Sequence, residues 1–212
     1  MINQNIVGQP ASGSANAILS GRAGQLGDVI MSELHGRYYE TTYRNNSFLL
    51  SVSTAAAVTA FSGAAGGTPM LAIFNPSGSG RNAVLNKVSV GNVVAASAAG
   101  TVSFALWFGA TAAITQATTV TPWNMGTQLQ SGSVVTGFRN VALTSSTAAS
   151  NAIALSSYYW ATAAGVGLVS NGIIDLEGAV IVPPGSYCAL GGSAALTSAT
   201  WIGSLQWEEV PV

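Results

Sequence analysis

A chain of 212 residues accommodates one large β domain with an appended arm, and its 49% apolar residues supply a sizeable core. Only 6% of the residues are charged, against roughly 25% in an ordinary soluble domain, and small neutral residues, 25 of them glycine, take their place. High apolar content with so little charge argues against disorder. The six scattered bases Arg22, Arg37, Arg44, Arg81, Lys87 and Arg139 form no stripe that would neutralise nucleic-acid phosphates.

The same composition leaves little charge repulsion to hold a monomer in solution. Either a partner covers much of the surface, or the exposed faces are rich in Ser, Thr and Asn. The single Cys188 has no partner for an internal disulfide, and its apolar surroundings make it a core residue rather than a reactive thiol. Met1 to Asn5 lacks the basic cluster and apolar core of a signal peptide, so none is expected. Val88 to Phe138 is uncharged, but polar residues and Pro122 interrupt it. No run approaches the ~18 apolar residues of a membrane-spanning helix.

Residues 1 to about 20 are small and polar with no periodic apolar face, which predicts an extended or flexible arm. From Ser20 to Tyr43 the composition changes: Arg22, Asp28, Glu33, His35, Arg37, Tyr38, Tyr39 and Tyr43 concentrate charge and aromatic rings. Val29–Met31 and Tyr38–Tyr43 suit short strands split by Gly36. This segment reads either as an interaction surface or as an edge hairpin. Gly21–Gly27 is rich in glycine but has no preceding strand and no phosphate-binding lysine, so it reads as a turn.

Ser47–Val52 predicts a strand. Ala55–Ala60 has helical composition, but Gly63, Gly66 and Gly67 follow at once and break it. Pro69–Phe74 is a short apolar run closed by the loop signal Asn75-Pro76-Ser77-Gly78. Next, Val84, Val88 and Val90 fall on one side of an alternating pattern, with Leu85, Lys87 and Ser89 on the other. Val102, Phe104, Leu106 and Phe108 likewise share one parity, which predicts a half-buried strand.

Ala110 to Ser150 is the least legible stretch: a turn at Pro122–Gly126, then short strands at Val134-Val135 and Phe138–Leu143. An aromatic cluster, Tyr158-Tyr159-Trp160, follows. Asn171-Gly172 between apolar runs is a two-residue hairpin signal. Pro183-Pro184-Gly185-Ser186 reads as a type II turn joining two strands of a hairpin, with Pro184 setting φ and Gly185 supplying positive φ. In the last strand Trp201, Gly203, Leu205 and Trp207 alternate with Ile202, Ser204, Gln206 and Glu208. Eight to ten strands without a convincing helix predict an all-β antiparallel sandwich. A jelly-roll type suits this length better than an immunoglobulin-like one. The division expected is an N-terminal arm over residues 1–44 and a sandwich over residues 45–212.

Catalytic chemistry finds few residues to work with. One His and one Cys, far apart in sequence, scarcely make a zinc site. A triad would need His35 with Asp28 or Asp175, and no serine sits in a nucleophile elbow. Asp175 and Glu177, two apart on a strand, share a side, and loop oxygens would be needed to complete a Ca²⁺ shell around them. No cofactor is expected. Trp107, Trp123 and Tyr158–Trp160 suit either core packing or a sugar platform.

Two stretches carry a family resemblance. Leu26-Gly27-Asp28-Val29-Ile30-Met31-Ser32-Glu33-Leu34-His35-Gly36-Arg37-Tyr38-Tyr39-Glu40 resembles the N-terminal region of tailed-bacteriophage virion structural proteins. Val180–Tyr187, continuing through Trp201 to Pro211, is similar to their closing strands. The resemblance covers the two ends of the chain better than its middle. It implies a jelly-roll capsid decoration (cement) protein, trimeric, seated on the major capsid protein lattice at the virion surface. The segment holding Arg22, Asp28, Glu33, His35, Arg37, Tyr38, Tyr39 and Tyr43 would then bind the partner. The competing expectation is a tail or fibre adhesin that holds host glycans on exposed aromatic rings.

Overall fold

A computed structural model describes residues 6–7, 22–23, 36–52, 55–57, 60–63, 67–98, 100–110, 114, 119–143, 148–149, 151–160, 171–194 and 198–212. The chain divides into two compact units, Met1–Tyr39 and Glu40–Val212. In the first, β1 (Ile6–Val7) pairs in parallel with β2 (Arg22–Ala23). Arg22-Ala23 therefore belongs to a strand rather than to a turn, and this part of the arm is paired. Val29–Met31 lies outside the described residues.

The division falls within α1 (Tyr39–Tyr43), where the sequence suggests a strand. Two local devices favour one helical turn. Glu40 and Arg44 are four apart and meet at 2.6 Å. Asn45, at φ 60°, closes the turn in a Schellman motif, with Asn46 N donating to Thr41 O and Asn45 N to Thr42 O.

The second unit is an all-β sandwich. Its strands are β3 (Ser47–Ser51), β4 (Ala56–Ala57), β5 (Leu71–Asn75), β6 (Arg81–Val94), β7 (Gly100–Ala110), β8 (Trp123–Asn124), β9 (Thr136–Arg139), β10 (Asn151–Trp160), β11 (Asn171–Val182), β12 (Ser186–Gly192) and β13 (Thr200–Pro211). One sheet runs β11-β6-β13-β3-β8, with β4 also on β13; the other runs β10-β7-β12-β5-β9. All named pairs here are antiparallel.

Between the sheets lies the main core. β13 contributes Trp201, Leu205 and Trp207, β7 contributes Val102, Phe104 and Leu106, and all six are fully buried. Phe104 and Trp201 bridge the two sheets, ring to ring at 4.8 Å. The outer face of the six-stranded sheet mixes polar Lys87, Gln206 and Glu208 with exposed Ile173, Ile181 and Ile202, and on it the Ser89 and Ser204 hydroxyls share a 2.6 Å hydrogen bond. The five-stranded sheet is covered on its outer side as well. Phe61 and Leu143 pack over Ala72, Phe74, Phe138, Tyr187 and Ala189 as a second core. Burial on both faces explains why Leu71–Phe74 and Tyr187–Leu190 read as continuous apolar runs while β13 alternates.

Several local expectations need correction. Leu85 packs inward with Val88 and Val90, and Val84 is only half-buried. A bulge is the reason: Trp207 pairs with Leu85 and Gln206 with Lys87, so Asn86 is an extra residue and the parity flips across it. Asn171-Gly172 is not a hairpin turn, because both residues pair within β11, opposite Gly91 and Val90 of β6. The Pro183–Ser186 turn does have Gly185 at φ 78°, but it does not close a hairpin. β11 and β12 belong to different sheets, so the turn is a corner between layers. Val134-Val135 precede β9 rather than forming a strand, and β9 ends at Arg139 because Asn140 takes φ 48°. Leu143 instead joins the second core. Cys188 is buried in the main core as expected, and desolvation pushes its thiol pKa up.

Candidate interaction surface

Beside the end of α1 the chain displays large apolar side chains. Tyr43 is 71% exposed, Leu129 61%, Trp123 44% and Met125 37%. Aromatic residues and methionine are the types enriched where proteins meet partners, because they present wide contact area with few rotors to freeze.

Asn124 holds this patch in shape. It is buried, and its Oδ1 accepts from Gly126 N at 2.9 Å and Thr127 N at 3.0 Å, closing the turn after β8. Its Nδ2 donates to Asn45 O at 2.7 Å, which ties that turn to the cap of α1. The backbone adds three bonds: Asn124 N to Leu129 O, Gln128 N to Asn124 O, and Met125 N to Ser47 O. Gly126 is required by close approach, since a Cβ there would collide with Thr42 O and Asn45 Oδ1.

The same segment is anchored further along by Glu209 of β13. Its carboxylate is buried, accepts from Ser133 Oγ at 2.6 Å and from Val134 N at 3.2 Å, and lies 3.8 Å from Arg81 Nη1. Charge-assisted bonds of this kind are stronger than neutral ones. With both anchors in place, Trp123, Met125 and Leu129 stand on a loop that has little to lose on binding.

The residues singled out from the sequence are spread over several settings. Tyr43 joins the patch, and Tyr39, also on α1, is 44% exposed. Arg37 is exposed and Tyr38 half-buried in the preceding turn, while Arg22 lies in β2. Asp28, Glu33 and His35 lie outside the described residues. Among the aromatic candidates, Trp123 is on the surface, whereas Trp107 packs edge-on against Phe61 at 5.1 Å. Tyr158–Trp160 belong to β10. Sequence reasoning missed Met125, Leu129 and Asn124, to which the turn signal at Pro122–Gly126 was the one pointer; Glu209, whose place at a strand end suggests a solvent-facing carboxylate, is instead buried.

Little else in the described residues suggests chemistry. Asp175 and Glu177 are both exposed, and Asp175 Oδ1 accepts from Glu177 N in a local turn. Among the described residues no three His, Cys, Asp or Glu side chains gather as metal ligands, and no helix is long and apolar enough to cross a membrane. No protein-family model and no curated protein matches the sequence.

Proposed function

We propose that this chain is a structural virion protein that decorates and stabilises a bacteriophage capsid by binding the major capsid protein lattice. In this reading it works as a homo-oligomer, a trimer, with a jelly-roll body. The observation that carries the proposal is the preorganised apolar patch of Tyr43, Trp123, Met125 and Leu129, where Asn124 ties the turn after β8 to the cap of α1. A charge-poor chain with such a patch is suited to permanent contact rather than to turnover. The strand order supports the jelly-roll reading. β3-β13-β6-β11 in one sheet and β5-β12-β7-β10 in the other interleave so that each of these strands in turn changes layer, except β7 to β10, which are neighbours in one sheet. The family resemblance at the two ends of the sequence points the same way.

The test is co-sedimentation with capsids that lack the protein. Removing residues 1–44, or combining Trp123→Ser with Leu129→Ser, abolishes capsid occupancy while the sandwich stays folded by circular dichroism. Unchanged occupancy in both variants overturns the proposal. The second reading, an adhesin that binds host glycans, draws on the exposure of Trp123 and Tyr43. Glycan-array binding lost on Trp123→Ser, without capsid co-sedimentation, would establish it instead.

A further inference from the structure

A cleft of about 490 Å³ opens beside the Pro183–Ser186 corner, within the range that holds ligands. Its walls include Phe108 to Ala110 at the end of β7, Asn151 and Ile153 at the start of β10, and Ala179 to Val182 of β11. Four consecutive residues of β11 line it. Neighbours along a strand point to opposite faces, so four in a row present backbone as well as side chains to the cleft; the three residues of β7, a strand paired on both sides, do so at its end. β11 is the terminal strand of its sheet, with β6 on its other side, and β10 is terminal in the opposite sheet.

None of the residues lining the cleft is charged, and Ile153 and Ile181 at its mouth are 40% and 52% exposed. An uncharged occupant is favoured, because a charged group entering here would lose water without gaining a partner. Two irregularities bound the usable edge. On one side β11 leaves register with β6 between Asp175 and Val180, with Glu177 at φ 52° and Gly178 at φ 79°. On the other, Pro183 ends the strand and has no N–H to offer. What remains, Ala179–Val182, spans roughly 13 Å at about 3.3 Å per residue.

We propose that this cleft is a β-addition site for an uncharged, extended peptide segment of about four residues from a protein partner. The peptide backbone pairs with the outer edge of β11 at Ala179–Ile181, and Val182, whose carbonyl is held by Asn75 Nδ2, closes that edge. One of its aliphatic or aromatic side chains fills the space against Phe108, Ile153 and Val180. The bulge and the proline keep the added strand short, which prevents open-ended edge pairing.

The experiment uses the ¹⁵N-labelled full chain and the synthetic peptide acetyl-Thr-Val-Thr-Val-Thr-amide. Amide shifts move at Ala179–Val182, and at a peptide concentration ten times Kd exchange slows about tenfold at those of its amides that face away from β6. Methylating the peptide's valine nitrogens removes backbone donors and weakens binding at least about tenfold. Ile153→Lys, at an exposed position that tolerates the change, weakens it comparably by placing a charge at the cleft mouth. The proposal is overturned if no shifts appear at Ala179–Val182 at the highest soluble peptide concentration. It is equally overturned if the N-methylated peptide binds as well as its parent, or if Ile153→Lys leaves affinity unchanged.

Discussion

Asn75, the last residue of β5, offers the sharpest test of how the layers are joined. It is fully buried, and its Nδ2 donates to Arg81 O at 2.7 Å and to Val182 O at 2.9 Å, while its own carbonyl accepts from Gly185 N at 2.8 Å. One side chain thus secures the start of β6 and the end of β11 at the interlayer corner. Asn75→Ala strands the buried Val182 carbonyl, at about 1–3 kcal/mol, and forfeits about 1 kcal/mol at the more accessible Arg81 carbonyl. Removing Asn75 Oδ1, which has no hydrogen-bond partner, returns part of this. The expected net loss is about 2–3 kcal/mol, or about 4–12 °C in Tm, read as a lower urea midpoint at unchanged m. Asn75→Asp sharpens the test, since a carboxylate would face two carbonyl oxygens. Its folded-state pKa would be raised, so stability would be present in acid and lost as pH climbs above the unfolded value of about 3.9. An Asn75→Ala protein within about 0.5 kcal/mol of the parent would refute the reasoning, because that is the scatter of neutral surface changes.

Other expectations follow from the same bookkeeping of buried groups. Glu209→Ala removes the acceptor for Ser133 and Val134 and costs about 2–4 kcal/mol by urea denaturation, whereas Glu209→Gln, which keeps an acceptor, costs less. Trp207→Ala opens a cavity between the sheets and costs about 3–5 kcal/mol by the same measurement. The buried Cys188 thiol, whose pKa is raised by desolvation, reacts with a disulfide reagent only at the rate of unfolding. Because the unfolded thiol releases its proton first, stability falls as pH rises above about 8.5, by at most about 1.4 kcal/mol per pH unit from this group; a flat urea midpoint from pH 8 to 10 would contradict it. Leu129→Ser on the exposed patch leaves stability within about 0.5 kcal/mol while reducing binding to the partner surface.

The alternation in Val102–Phe108 and Trp201–Glu208 was legible because each of those strands has one face in the main core and one turned away from it. Leu71–Phe74 and Tyr187–Leu190 were legible only as apolar runs, since the residues that complete the core on their outer faces are distant: Phe61 and Leu143 from loops and Phe138 from β9. The parity around Leu85 could not be read, because the bulge at Asn86 exists only through pairing with β13, far along the chain. The Pro183–Ser186 turn follows from local chemistry, but whether the chain turns back on itself or changes layer depends on which strands flank β12. α1 rests on the Glu40–Arg44 pair and the Asn45 cap, both weaker signals than the tyrosines that suggested a strand. Of the interaction surface, Tyr43 and Trp123 stood out by type. Asn124 and Glu209 matter through bonds to residues as distant as Asn45 and Ser133, which spacing does not reveal.

The place of β13 in its sheet has a consequence for how the chain reaches its native state. This strand, residues 200–211, is flanked by β3 on one side and β6 on the other, and it brings Trp201, Leu205 and Trp207 into the core. Until it arrives, β3 has only the two-residue β8 beside it, and β6 only β11. The sheet is therefore completed at its middle by pairings that draw together residues more than a hundred apart in sequence. Such non-local pairing makes slow folding the expectation. Meanwhile both flanking edges stand open to wrong partners. A break in the chain just before Thr200 would accordingly not trim a margin; it would take out the keystone and leave two half-sheets with nothing to join them.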